Sequence, residues 1–227
     1  MAQKQRTNQA ITLKGSTALV TEFFEYSVNS ILYQRGVYPS DDFRMVKKYG
    51  LPMLVTSDES LKEYLSTILS QVQEWLLSSS ITRLVLAIKS IETGETLERW
   101  QFDIHAEDAQ TPSGSGSGSG TITNPSLPGG PTKGKKKEKT EKEVQGEIRE
   151  IMKQITSSVT FLPILEEECT FTLLAYTNDS EDVAIPATWD DADPHLIDRG
   201  KVEQVRLRSF STNVHSLEAM VAYRVGE

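Results

Sequence analysis

The sequence predicts an α+β fold in which three main helices pack on a mostly antiparallel sheet. Three observations carry that prediction. Apolar residues recur at spacings of 3 and 4 in three separate windows, as a buried helix face requires. Between the second and third windows, two β-rich runs flank Glu92-Thr93-Gly94-Glu95, which has the composition of a hairpin turn. A further β-rich run at residues 169–177 follows the last helical window and Pro163.

The first helix is expected over residues 17–34, with Val20, Phe23, Phe24, Val28, Ile31 and Leu32 inward, Ser16 as N-cap and Gly36 as the stop. Ser40 is expected to cap a short helix with Asp41 and Asp42 in its first turn, closed by Gly50. Residues 51–55, which include Pro52, read as an edge-type strand. The second main helix starts at residues 57–59 and carries Leu61, Leu65, Ile68, Val72 and Trp75 on one stripe. Residues 81–91 are apolar on both alternations, as in a central strand covered on both faces. The return strand alternates: Trp100, Phe102 and Ile104 face the core, while Arg99, Gln101 and Asp103 face water.

From residue 109 the composition changes to Ser/Gly, Pro/Gly and then lysine, so residues 109–142 are expected to be a flexible loop inside one domain. The parts on either side are residues 1–108 and 143–227. The lysine cluster fits a solvated loop better than an import signal or nucleic-acid patch. Val144, Ile148, Ile151, Ile155, Val159 and Leu162 then mark a helix over residues 143–162, ended by Pro163. This helix and the strand at residues 169–177 are expected to form the core unit around which the rest packs. Residues 178–200 are acidic and broken by Pro186 and Pro194; residues 203–211 and 219–225 then read as a moderately hydrophobic hairpin on a long tether.

Length admits one large domain, two small ones, or one domain with an insertion. A net charge of −8 argues against nucleic acid as the main partner. The single cysteine, Cys169, excludes an internal disulfide, fits a reducing compartment and reads as a buried strand thiol. Neither a signal peptide nor a membrane span is expected, which points to a soluble intracellular protein. The histidines, His105, His195 and His215, lack metal-ligand spacing, and Asp190-Asp191-Ala192-Asp193 lacks the glycine and terminal glutamate of a calcium loop. No phosphate loop or nucleophile elbow is present, and a carboxylate pair such as Asp179 and Asp182 is common by chance. The expected protein is not an enzyme and has no cofactor; it works through a surface or a sheet edge.

Several longer segments are informative together: residues 30–39 (Ser-Ile-Leu-Tyr-Gln-Arg-Gly-Val-Tyr-Pro), 54–56 (Leu-Val-Thr), 97–104 (Leu-Glu-Arg-Trp-Gln-Phe-Asp-Ile), 154–156 (Gln-Ile-Thr), 159–163 (Val-Thr-Phe-Leu-Pro) and 205–210 (Val-Arg-Leu-Arg-Ser-Phe). In this order they resemble the HORMA-domain family, and within it the spindle-checkpoint branch of the mitotic-arrest-deficient type (the second of that name). The strand at residues 99–103 and the tail at 206–210 favour this branch over the translesion-polymerase and meiotic-axis branches. An adaptor role in DNA-damage tolerance or meiotic axis assembly is the alternative.

The resemblance implies a switch between open and closed folds that differ in where a mobile C-terminal hairpin lies. In the closed form a partner peptide adds to the edge of the strand at residues 170–177, and residues 178–227 wrap it as a safety belt. Without a peptide, the hairpin could cover the same edge. The resemblance assigns Phe171, Leu173, Leu174 and Tyr176 to the peptide edge, with Trp75 and Trp189 as anchors; core packing is the other reading of each. It assigns Lys153, Gln154 and Phe161 to self-association of open and closed copies. Lys153 stands where the family often has arginine and lacks its bidentate fork, and Phe161 has core packing as its other reading. Arg206, Ser209, Phe210, Val221 and Tyr223 fall in the mobile belt, where phosphorylation of Ser209 would add charge that one conformer must accommodate. The implied partners are a coiled-coil kinetochore checkpoint receptor, the activator subunit of the anaphase-promoting complex, and a remodelling AAA+ ATPase. The implied locations are nucleus, kinetochore and cytoplasm.

Overall fold

The computed structural model describes residues 11–107, 138–178, 183 and 185–225. The polar N-terminus, the Ser/Gly alternation, most of the lysine cluster and the Asp179–Asp182 pair lie outside the described residues. Helices α1 (Leu13–Gln34), α2 (Glu59–Leu77) and α3 (Glu141–Ser157) pack on a sheet of β3 (Ile81–Ser90), β4 (Thr96–Ala106), β5 (Cys169–Thr177), β6 (Lys201–Arg206), β7 (Phe210–Ser211) and β8 (His215–Val225). Strand order is β5-β3-β4-β8-β6, with β7 on β8 and every pairing antiparallel. A separate hairpin joins β1 (Phe43–Lys48) to β2 (Leu51–Thr56). Among the described residues no helix is long and apolar enough to cross a membrane.

The organising helix is α1, a correction to the expectation that the segment from α3 to β5 plays that part. Val20, Phe23, Phe24, Val28, Ile31 and Leu32 have no solvent exposure. Its remaining buried positions include Ser16, Thr17, Ser27 and Ser30, small enough to sit against neighbours on other sides. α3 buries only one stripe, Val144, Ile148, Ile151, Met152 and Ile155, because its other positions are charged or polar apart from Gly146.

Element ends differ from expectation for local reasons. α1 begins at Leu13, where the Thr12 hydroxyl accepts from Gly15 N at 3.1 Å; Ser16 does not cap it, since its hydroxyl is engaged in the core. α3 begins at Glu141 through a reciprocal capping box between Thr140 and Glu143, inside the predicted loop. It stops at Ser157, where Ser157 and Ser158 hydroxyls bond the carbonyls of Gln154 and Ile155 and compete with the helical ladder. Val159 is therefore exposed and Leu162 is buried from a loop. Residues 40–50 hold only a 3₁₀ turn at Ser40–Asp42 before β1, so no helix forms there. Tyr49 and Gly50, both at positive φ, make the two-residue turn that lets β1 pair with β2.

β3 is covered on both faces: Leu84, Leu86 and Ile88 on one and Val85 and Ala87 on the other are fully buried. On β4, Phe102 meets Phe23 and Phe24 edge-on, each at 5.7 Å between ring centroids. Its opposite face is not simply wet. Arg99, Gln101 and Asp103 form a hydrogen-bonded row with Arg83 and Tyr176, and Gln101 is buried. The core also holds an ion pair absent from the sequence reading. Arg35 Nε donates to Glu98 Oε1 at 2.8 Å, the guanidinium also donates to the Pro163 carbonyl, and both charged side chains are almost fully buried.

Candidate functional site: a free sheet edge under a strap

A β-strand with only one partner leaves half its backbone donors and acceptors exposed, which invites a further strand. β5 is such a strand, since it pairs with β3 alone among the described residues. Its register sets Phe171, Leu173 and Ala175 opposite Ile88, Leu86 and Leu84, and so on the helix side. Thr172, Leu174 and Tyr176 share the other face with Ala87, Val85 and Arg83. The predicted edge residues are thus divided between two faces. Leu173 and Leu174 are buried; Phe171 and Tyr176 are half-buried.

The Phe171 ring lies 6.1 Å from Tyr38 and 5.8 Å from Tyr64, both edge-on. Tyr64, on α2, is 41% exposed, so this aromatic group opens toward the edge. Burial pushes the Tyr64 phenol above its ordinary value, and the neighbouring Leu173 backbone partly offsets it. Tyr38 and Tyr64 were missed in the sequence: Tyr64 falls off the α2 apolar stripe and Tyr38 sits in a connector.

Beyond β5 the chain forms a strap anchored at both ends of the strand. At one end Asn178 N donates to Ser80 O at 2.8 Å, beside the Ile81–Thr177 pair that closes the β3–β5 ladder. There Trp189 packs edge-on to Trp75 at 4.8 Å, so the structure brings the two predicted anchors together. At the other end Arg199 meets Glu95 of the β3–β4 turn at 3.0 Å. Glu95 also takes Arg224 of β8 at 2.6 Å, and Arg224 approaches Glu167, just before β5, at 3.7 Å. The ten residues of β3 put these ends roughly 30 Å apart. Between the anchors, the described strap residues have no helix or strand, and the Asp190–Asp193 run is exposed.

The hairpin of β6 and β8 lies on the far side of the sheet, beside β4, so its arrangement here is not the one that would cover β5. Val221 and Tyr223 are buried in β8, and Phe210 packs on Phe23 at 5.1 Å. Arg206 and Ser209 are exposed. The link from β6 to β7 is clamped to α3, where Gln154 Oε1 accepts from Arg208 N at 2.7 Å and Glu147 Oε2 accepts from Ser211 N at 3.2 Å. Of the residues assigned to self-association, Gln154 is therefore engaged within the chain, and Lys153 pairs with Glu150 on the α3 surface. Phe161 is 43% exposed, and Val159 and Ile164, which also follow α3, are exposed. Cys169 is half-buried rather than fully enclosed, and burial pushes its thiol up, away from reactivity. Among the described residues no three metal-ligating side chains converge.

The site is thus a sheet edge with one strand partner among the described residues, lying beneath a strap, with the C-terminal hairpin carried to the opposite edge. The chain belongs to the HORMA-domain family, whose profile matches residues 16–215. Within that family it is of the spindle-checkpoint type. It is 48% identical to the mitotic spindle assembly checkpoint protein MAD2A of Dictyostelium discoideum, over 99% of this chain and 97% of that protein. A chain in the crystal structure of the mitotic checkpoint complex matches with a TM-score of 0.75 and 44% identity, covering 93% of this chain and 99% of that one. HTP-2 of C. elegans, bound to the HIM-3 closure motif, shares the fold at a TM-score of 0.70 and 13% identity, covering 98% of each chain.

Proposed function

We propose that this checkpoint protein captures an extended peptide segment of a partner as a further strand on β5, with residues 178–200 closing over it. The observation that carries the reading is the unpaired β5 edge lying between two strap anchors. Main-chain hydrogen bonds would supply affinity, and the two faces of β5 would supply pockets for alternate side chains. Proposed partners are a coiled-coil kinetochore receptor and the activator subunit of the anaphase-promoting complex, the second held back so that anaphase waits. The exposed apolar side chains of Val159, Phe161 and Ile164, which follow α3, support self-association of two conformers. A remodelling AAA+ ATPase would reset the fold, and the protein would act in the nucleus, at kinetochores and in the cytoplasm. Its work is binding, not turnover.

The test is hydrogen exchange with and without a peptide from the receptor, with ion-exchange chromatography of the same samples. The expected result is new protection at alternate amides of β5 and at the strap, with slowly interconverting peaks gathered into one. Protection on α3 with β5 unchanged would overturn the reading. Fast reversible binding in a single peak would make the protein a plain adaptor without a strap mechanism.

A further inference from the structure

His215 is the first residue of β8, the strand whose partner decides where the hairpin lies, and its side chain is shut into the core at 2% exposure. Its Nδ1 is 2.7 Å from Ser16 Oγ of α1, and Ser16 Oγ is 2.5 Å from Thr212 Oγ1. Ser16 and Thr212 have no exposure. The Thr212 hydroxyl oxygen accepts from His215 N at 3.0 Å, and Thr212 N donates to His215 O at 2.9 Å, which folds the turn before β8 onto the ring. Nε2 is buried with no hydrogen-bond partner among the described residues, and the Leu76 backbone near the end of α2 lies close to the ring. This one side chain therefore joins the start of α1, the end of α2 and the start of β8.

We propose that His215 is a proton-sensitive lock: the neutral ring holds β8 on β4, and protonation favours release of the C-terminal hairpin. The proposal rests on the reading of that hairpin as mobile. The groups facing the ring are Ser16 from α1, the Leu76 backbone from α2 and Thr212 from the turn. All are uncharged, and among the described residues no carboxylate acts on the ring to offset a buried positive charge. Burial accordingly holds the imidazole below its ordinary value. A released His215 would titrate near the usual value of about 6.5. The seated state thus has the depressed value and the released state the ordinary one. The lock is complete above about pH 6.5 and weakens as pH falls toward the depressed value.

The experiment uses the full chain, with Met220 methyl and histidine ring signals followed by NMR at equilibrium. From pH 7.5 to 5.5 the released-to-seated ratio is expected to rise, by up to about tenfold. In His215→Asn, which keeps a hydrogen-bonding group toward Ser16 and leaves His105 and His195 in place, it should change by less than about twofold. Two conformers with the same pH dependence in both proteins would overturn the lock while leaving the mobile hairpin standing. A single conformer at every pH would overturn the mobile hairpin and the lock with it. If the variant fails to fold, the wild-type ring decides: titration at or above about 6.5 while β8 stays on β4 overturns the proposal.

Discussion

Arg35 and Glu98 show how far one buried pair reaches. The guanidinium at the end of α1 binds β4 through Glu98 and the segment after α3 through Pro163, and Trp100 Nε1 gives the carboxylate a second donor at 3.2 Å. Burial pushes the Glu98 carboxyl up and Arg35 opposes it. Removing one partner strands a charge in the core, whereas replacing both with apolar side chains does not. Arg35→Ala is expected to cost about 3–5 kcal/mol in chemical denaturation, and Arg35→Met with Glu98→Leu should recover most of it. A single-variant loss below about 1 kcal/mol, the range of surface pairs, would show that the pair is solvated in solution. The sequence offered no sign of it. Arg35 precedes a glycine like any helix-end cation, and Glu98 lies in an alternation that suits either a wet or a paired carboxylate.

At the scale of elements, the strap is held by unlike contacts. Trp75–Trp189 is an apolar anchor, and an edge-on aromatic pair is worth about 0.5–1.5 kcal/mol beyond its buried area. Trp189→Ala should therefore speed release of a captured peptide by at least about 2–12-fold with little change in its association rate. An association rate that falls equally would mean that Trp189 guides entry instead of closing the strap. The Glu95 cluster is ionic and partly exposed, so its effect is smaller and screened by salt. Glu95→Gln is expected to raise the peptide off-rate a few-fold at low salt and to flatten its salt dependence. An off-rate that still varies with salt as in wild type would remove Glu95 from the latch. The two tryptophans were legible as anchors only through the resemblance, since Trp75 by itself reads as part of the α2 apolar stripe and Trp189 as one aromatic in an acidic tether. Glu95 was legible only as a turn residue, since nothing local says that two arginines, one 129 positions away in sequence, converge on it.

For the whole molecule, the decisive feature is that the C-terminal hairpin takes one edge of the sheet, β8 on β4 with β6 outermost, while β5 has no second strand partner among the described residues. Register pairs His105 with Ser216 near the exposed end of the β4–β8 ladder, away from the core. A cysteine pair at these positions should lock β8 on β4 when oxidised. The expected result is loss of slow peak interconversion and peptide capture slowed more than about tenfold, both restored by reduction, because entry beneath a fixed strap needs the chain to open. Capture at the wild-type rate by the oxidised protein would show that the strap admits peptide without any movement of the hairpin.

Much of this molecule follows from sequence pattern alone. The 3.6-residue stripes place α1, α2 and α3, the double apolar alternation of β3 places a central strand, and Trp100, Phe102 and Ile104 choose the buried face of β4. Those features are local, and a few residues of periodicity suffice to state them. Their failures were local too: the predicted helix at residues 40–50 became a turn and a strand because pairing with β2 outweighed helical start signals. What only the tertiary structure decided is which edge the C-terminal hairpin takes, which helix is enclosed, and that His215 is buried. Leu217, Ala219, Val221 and Tyr223 alternate with a period of two, which says which face of a sheet they enter but not which strand lies beside them. An antiparallel ladder is built from backbone groups that every strand shares, so either edge can accept β8 equally well by pattern. The choice falls to contacts distant in sequence: Phe210 on Phe23, Ser211 on Glu147, and His215 on Ser16.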